Sequence, residues 1–331
     1  MTRVLVTGAG GPAGVAVIRS LLRRSDVEVY AADMDGWASG LYLLAAGHRR
    51  IVPPGAADEF VDDVIRRCSE DWIDVLFSTV DAELPPLAAR RDELRAVSGT
   101  RLAAPSAETL AVALDKFALA ERCASRLRVP ETRLLDTTAI AHRWTFPVIV
   151  KPRSGSGSRG VRLISSREQL EALPFDAGTI VQEHLPGDEF SVDVLADAQG
   201  LIVAAVPRTR TRVDSGVSIA GRTVRDPDLE ATAGAAASAI GLVGVANVQL
   251  RYDCDGRPAL LEVNPRFPGA MPLTIAAGVD MPSLALDLAL GLPLPERIDF
   301  VELANVRYLE DIFLSPAEVL RSENAAHLEG E

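Results

Sequence analysis

The chain is poor in several things at once. Among its 331 residues are three cysteines and four histidines; aromatics make up 5%, and 46 acidic residues outnumber 34 Lys and Arg to leave a net charge of −12. Each shortage excludes a class of protein. Cys68, Cys123 and Cys254 have neither metal-ligand spacing nor a disulfide framework, and they fit a reducing compartment. The negative balance argues against nucleic acid or an anionic membrane as main partner. The apolar stretch from Ala231 to Val248 is broken by glycines and Asn247, and no run of roughly 18 purely apolar residues occurs. Arg3 leads straight into a short strand instead of a signal-peptide core. The expectation is a cytoplasmic protein with small-molecule partners.

The chain does have the material for a large core, at 48% hydrophobic residues. Domains usually run ~100–200 residues, so two or three lobes are expected. Val4–Thr7 reads as a strand, Gly8–Gly14 as a tight turn, Val15–Arg24 as a helix, and Val27–Ala32 as a second strand ending at Asp33. This βαβ unit resembles a dinucleotide fingerprint and keeps an NAD(P)-dependent oxidoreductase open. The same glycines also serve simply to pass from a parallel strand to a helix. Ile73–Thr79 is another strand, with Asp81 and Glu83 beyond its carboxyl end, where ligand crevices of such sheets lie. Those two acids also suit a helix N-terminus. Ser106 reads as the N-cap of the next helix.

Three segments carry chemistry. Val245–Leu250 and the strand ending Glu262-Val263-Asn264-Pro265-Arg266 flank the turn Asp253-Cys254-Asp255-Gly256, which predicts a hairpin. Glu262 and Asn264 then share a face, and Gln249 can join them from the neighbouring strand. Three oxygen donors suit Mg²⁺, which completes its shell with phosphate and water, and Arg266 can hold a phosphoryl group bidentately. A hairpin with a solvated polar face reads equally well from these residues alone. Secondly, the strand Val148–Lys151 enters a loop, Arg153 to Gly160, rich in glycine and serine. Its amides and hydroxyls can donate to phosphate oxygens, with Lys151 as a point charge. It is not a Walker A loop, since no Gly-Lys-Ser/Thr opens a helix. Thirdly, Ile180–Glu183 and Glu189–Val194 are strands interrupted at Pro186-Gly187, as a cleft for a flat base requires.

In this order the segments resemble the ATP-grasp superfamily, specifically the carbamoyl-phosphate-synthase-like branch with its single-chain carboxylate–amine ligases. The resemblance covers all but the last thirty or so residues. It implies an α/β fold, α+β towards the C-terminus. A Rossmann-like lobe would span 1–106 and the ATP-grasp domain 107–331, with a lid at about 132–183 and a catalytic part at about 184–331. It implies magnesium (manganese being possible) at Gln249, Glu262 and Asn264, and phosphate or acyl phosphate at Arg266. ATP would be held by Lys116, Lys151, Ser156, Gly157, Ser158 and Gly160. Glu183, His184 and Leu185 would take adenine, and Glu189 the ribose. His184 departs from the smaller or less polar residue of many relatives.

Arg208, Arg210 and Arg212 alternate after the strand Leu201–Val206. The resemblance places a basic residue there beside the acceptor carboxylate, and Arg208 or Arg210 would fill that role. Edge-strand arginines facing solvent are the other reading. The implied reaction activates a carboxylate as acyl phosphate and couples it to an amine, releasing ADP and phosphate. A carboxylate- or carbamate-kinase outcome stays open, as does a homodimer. The chain has room for one such module only.

Overall fold

A computed structural model describes residues 1–155, 159–214 and 216–320. The expected phosphate ligands Ser156, Gly157 and Ser158 lie outside the described residues.

The first lobe is a parallel sheet of β1 (Thr2–Thr7), β2 (Val27–Asp33), β3 (Arg49–Ile51), β4 (Val75–Ser78) and β5 (Arg101–Leu102), in the order β3-β2-β1-β4-β5. Val4, Leu5 and Val6 are all fully buried because helices cover both faces. Strand order reverses between β1 and β4, which opens a crevice at their carboxyl ends. The helix after β1 is Pro12–Leu21, three residues earlier than the apolar pattern suggested, because Pro12 suits a first helical turn. Gly14 is required there: a Cβ would lie 2.2 Å from the Gly8 carbonyl oxygen. Asp33 turns inward and accepts the Gly10 amide at 2.8 Å and the Asp35 amide at 3.0 Å.

The second unit is the antiparallel sheet β6 (Thr132–Leu135), β7 (Val148–Pro152), β8 (Arg162–Ile164) and β9 (Asp176–Glu183), ordered β6-β9-β7-β8. It has a small core of its own around Leu135, Val148, Val150, Leu170 and Val181. The helix joining it to the first lobe is Lys116–Cys123. Asp115 is its N-cap, accepting the Phe117 and Ala118 amides.

The chain continues through β10 (Glu189–Ala196), β11 (Ile202–Thr209), β12 (Arg212–Asp214), β13 (Val217–Arg222), β14 (Gly244–Tyr252), β15 (Pro258–Asn264) and β16 (Ala304–Val306). β11-β10-β14-β15 form the large antiparallel sheet, and β12-β13-β16 a small one. Period-two alternation gives the large sheet two apolar faces. Val192, Val194, Ala246 and Val248 pack under the helix Pro227–Ala239, whose Ala233, Ala236 and Ala237 permit a close approach. Leu195, Val203, Val206 and Val245 face the first lobe and share a core with Val17, Ile18, Phe77 and Phe267. Phe77 and Phe267 meet edge to face at 5.5 Å, which pins the segment after Asn264 to β4.

Candidate functional site

Antiparallel pairing sets Gln249 of β14 opposite Glu262 of β15, and Asn247 opposite Asn264, with a bulge between Gln249 and Leu250. Gln249, Glu262, Asn264, Arg208, Arg210 and Arg266 line one cleft of about 150 Å³. Glu262 Oε1 accepts from Asn264 Nδ2 at 3.4 Å, and Glu262 Oε2 lies 3.8 Å from Lys116 Nζ. The triad offers hard oxygen donors but a single carboxylate. Among the described residues no group of three or more His, Cys, Asp and Glu could hold a metal ion. A lone carboxylate with two amides fits Mg²⁺ that brings phosphate oxygens and water with it, rather than an all-protein cage.

Two lysines from other elements stand near Glu262. Lys116 opens its helix and donates to the Gly155 carbonyl at 2.7 Å. That contact fastens the start of the glycine loop to the helix, alongside the Asp115–Arg153 pair. Lys151, at the end of β7, is 8% exposed. Burial pushes its ammonium down to about 8; Glu262 and Glu189 work against that, and Lys116 adds to it. Among the described residues its Nζ has no hydrogen bond or ion pair. It is a cation held ready, with its desolvation cost already met by the fold. Gly160 closes the loop at φ +74°, its Cα directed at Pro152 so closely that a Cβ would stand 3.0 Å from the ring.

The hinge residues follow β9. The Glu183 carboxylate is engaged by Arg128 Nη2 at 2.6 Å and by the Glu131 amide at 3.0 Å, so it braces the connector. Leu185 is buried, and among the described residues no loop or turn backbone hydrogen bond uses the amides or carbonyls of His184 and Leu185. Glu189, the expected ribose ligand, pairs with Arg210 Nε at 3.0 Å.

The arginines divide. Arg208 does not face solvent on an edge strand: it is 2% exposed and bound to Asp193 at 3.1–3.3 Å. Asp193 also accepts from Asn247 Nδ2 at 2.7 Å and Thr274 Oγ1 at 2.5 Å, so every member of this buried network has a partner. Arg210 stays at the rim, and Arg212 is exposed. Arg266 is clamped bidentately by Asp81, Nε to Oδ1 at 2.7 Å and Nη2 to Oδ2 at 2.8 Å. Asp81 follows β4, so the first lobe sets the orientation of this guanidinium.

Sequence reasoning missed one residue. Arg307 follows β16 and donates to the Gly269 carbonyl at 2.6 Å, and Gly269 itself lines the cleft. Burial and the nearby Arg208 depress its pKa, and among the described residues it has no carboxylate partner within ion-pair distance. The signal available was a single arginine inside the apolar, strand-like run 305–309. The carboxyl-end pair of the first lobe also proves to be divided. Asp81 turns to Arg266, while Glu83 accepts from Thr7 Oγ1 and, at 2.7 Å, from Ser78 Oγ, with burial raising its pKa.

A parallel lobe followed by a small and a larger antiparallel sheet is the architecture of ATP-grasp structures. The chain carries an ATP-grasp domain matching the family "ATP-grasp in the biosynthetic pathway with Ter operon" over residues 176–312, preceded by a PylC-like N-terminal domain over residues 4–102. A carbamoyl phosphate synthase large chain of Clostridium acetobutylicum is 26% identical over 222 residues, covering 60% of this chain and 21% of that one. This chain thus spans about a fifth of that relative's length. Biotin carboxylase of Campylobacter jejuni superposes with a TM-score of 0.72 at 18% identity, covering 88% of this chain and 72% of that one. An L-amino acid ligase of Bacillus licheniformis does so with a TM-score of 0.66 at 19% identity, covering 87% and 74%. These two structures share the fold. Among the described residues no helix is long and apolar enough to cross a membrane.

Proposed function

We propose that this chain is an ATP-dependent carboxylate–amine ligase. The observation that carries the reading is the convergence of Gln249, Glu262 and Asn264 in one cleft, with Lys151, unpaired among the described residues, near enough to Glu262 for the two charges to interact. The relatives named carbamoyl phosphate synthase and L-amino acid ligase support it. The internal use of the Gly10 amide by Asp33 favours it over a dinucleotide oxidoreductase, because the glycine turn already spends a donor on the protein. In this reading residues 1–106 form the acceptor-facing lobe, 107–331 the ATP-grasp domain, and about 132–183 the lid.

The roles follow from charge and position. Lys116, Lys151 and the glycine loop take the phosphates of ATP, and the free backbone of His184 and Leu185 takes the base. Glu183 and Glu189 act through Arg128 and Arg210 at the two sides of the nucleotide. Gln249, Glu262 and Asn264 would hold Mg²⁺ or Mn²⁺, which would neutralise charge on the transferring phosphoryl group. A substrate carboxylate, steered by Arg210 and Arg307, attacks the terminal phosphorus, and ADP departs. The amine then attacks the acyl carbon, phosphate leaves with the bonding pair, and the amine proton passes to phosphate or solvent. Arg266, set by Asp81, faces the acyl phosphate. No protein nucleophile is needed; positioning and exclusion of water do the rest.

The test is Glu262→Ala. Circular dichroism should be unchanged, while carboxylate-dependent ADP release should fall by ~10²-fold or more, as expected on losing the sole anionic metal ligand. Hydroxylamine in place of the amine should trap a hydroxamate. Near wild-type turnover in the variant, or AMP as main nucleotide product, would overturn the proposal.

A further inference from the structure

A second cleft, of about 380 Å³, shares Arg266 with the first. It lies where β4 and β5 end, between the first lobe and the start of β14, and Pro265-Arg266-Phe267 forms part of its wall. Its size is that of a small-molecule pocket, and its position is the carboxyl edge of a parallel sheet, where such sheets bind ligands. The nucleotide and metal residues use none of this space apart from Arg266.

Its chemistry is two-sided. Leu84, Phe267, Ala285 and Leu288 supply an apolar floor. Arg91, Arg95 and Arg101 also line it, with Asp92 the acid on the lining. Among the described residues none of the three arginines has a carboxylate within ion-pair distance. Each is held by backbone carbonyls instead: Arg91 by Leu102, Ala104 and Pro105 at 2.6–2.8 Å, Arg101 by Ala289 at 3.0 Å, and Arg95 by Gly99. Several enclosed arginines elsewhere in this acidic chain are neutralised, Arg208 by Asp193, Arg128 by Glu183 and Asp253, and Arg50 by Asp71. Carbonyls fix a guanidinium in place without cancelling its charge. Burial accordingly lowers the pKa of Arg91, a cost that an incoming anion would relieve. A guanidinium also leaves N–H groups over, since it carries five.

We propose that this cleft is a second ligand site, separate from the ATP site, which takes a small carboxylate with an apolar body. The carboxylate lies on the Arg91–Arg101 side and the hydrocarbon on the Phe267–Leu288 floor. A cation is disfavoured by the three arginines, and a bare anion forfeits the apolar contact.

Octanoate tests this on the intact chain by isothermal titration calorimetry, with acetate and octylamine as probes of charge alone and of reversed charge. Octanoate should bind with a stoichiometry of one, and acetate and octylamine each at least tenfold more weakly. Arg101→Glu and Ala285→Phe should each weaken octanoate at least tenfold while leaving Mg·ADP affinity unchanged. Val243→Trp, at a 38% exposed wall position, gives the same blockade without touching the core. Absence of octanoate binding, octylamine binding as tightly, or full affinity in Arg101→Glu and Val243→Trp would each overturn the proposal. The readout is binding, so it stands or falls independently of the ligase reaction.

Discussion

Lys151 offers the sharpest test of how the fold prepares for a nucleotide. In the empty site burial sets its ammonium at about 8 rather than 10.5. A triphosphate arriving beside it favours the charged form, so binding should restore an ordinary value and take up a proton. The empty site is roughly 90% protonated at pH 7 and roughly 10% at pH 9, while the complex stays almost fully protonated at both. Nucleotide affinity should therefore fall about tenfold between pH 7 and pH 9, equivalent to ~1.4 kcal/mol. Proton uptake should rise from ~0.1 to ~0.9 per site over the same range.

The sign for folding is opposite. A lysine whose folded value lies below its unfolded value binds fewer protons when folded, so the empty protein gains stability as pH rises from about 8 to 10.5. Calorimetry of Mg·ATP-analogue binding in buffers of different ionisation enthalpy measures the uptake directly. Lys151→Arg keeps its charge throughout and should flatten the profile, while Lys151→Met should bind weakly at every pH. A flat wild-type profile, or a slope that survives in Lys151→Arg, would refute the argument.

Asp81→Asn removes the charge that orients Arg266. It should lower kcat by ~10–100-fold and leave nucleotide affinity intact, as for loss of a positioning contact to a phosphoryl-binding arginine; steady-state kinetics beside calorimetric binding separate the two. Asp193→Ala strands Arg208 in the interior and should cost ~3–5 kcal/mol by urea denaturation, whereas replacing both partners with apolar residues should recover most of that. Arg307→Ala should raise the KM for the carboxylate by roughly tenfold while the KM for ATP stays put, the loss expected of one charge-assisted contact.

These sites differ in how far the sequence discloses them, and the difference is physical. The β14–β15 hairpin is legible because strand period and turn chemistry act over a few residues: Glu262 and Asn264 must share a face whatever the rest of the chain does. Lys151 is legible for the same reason, since a short apolar strand and the glycine loop it enters are contiguous. The central arginines are not. Alternation puts Arg208 and Arg210 on one side of a strand, but whether that side is wet depends on Asp193, Asn247 and Thr274, which arrive from β10, β14 and a later helix. The first lobe's acids pose the same difficulty. Asp81 and Glu83 differ by one intervening residue, yet one is drawn outward by Arg266, 185 positions away, and the other inward by Thr7 and Ser78. Charge pattern along a chain names the candidates, and tertiary pairing decides which cations are spent. By that criterion the cations left to meet a ligand include Lys151 and Arg307 at the first cleft and Arg91 and Arg101 at the second, each without a carboxylate partner among the described residues. A site that must bind several anionic groups in turn needs such unspent charge. The fold supplies it by burying Lys151 and by holding Arg307 on the Gly269 carbonyl, while Arg208 and Arg266 are held rigid by carboxylates of their own.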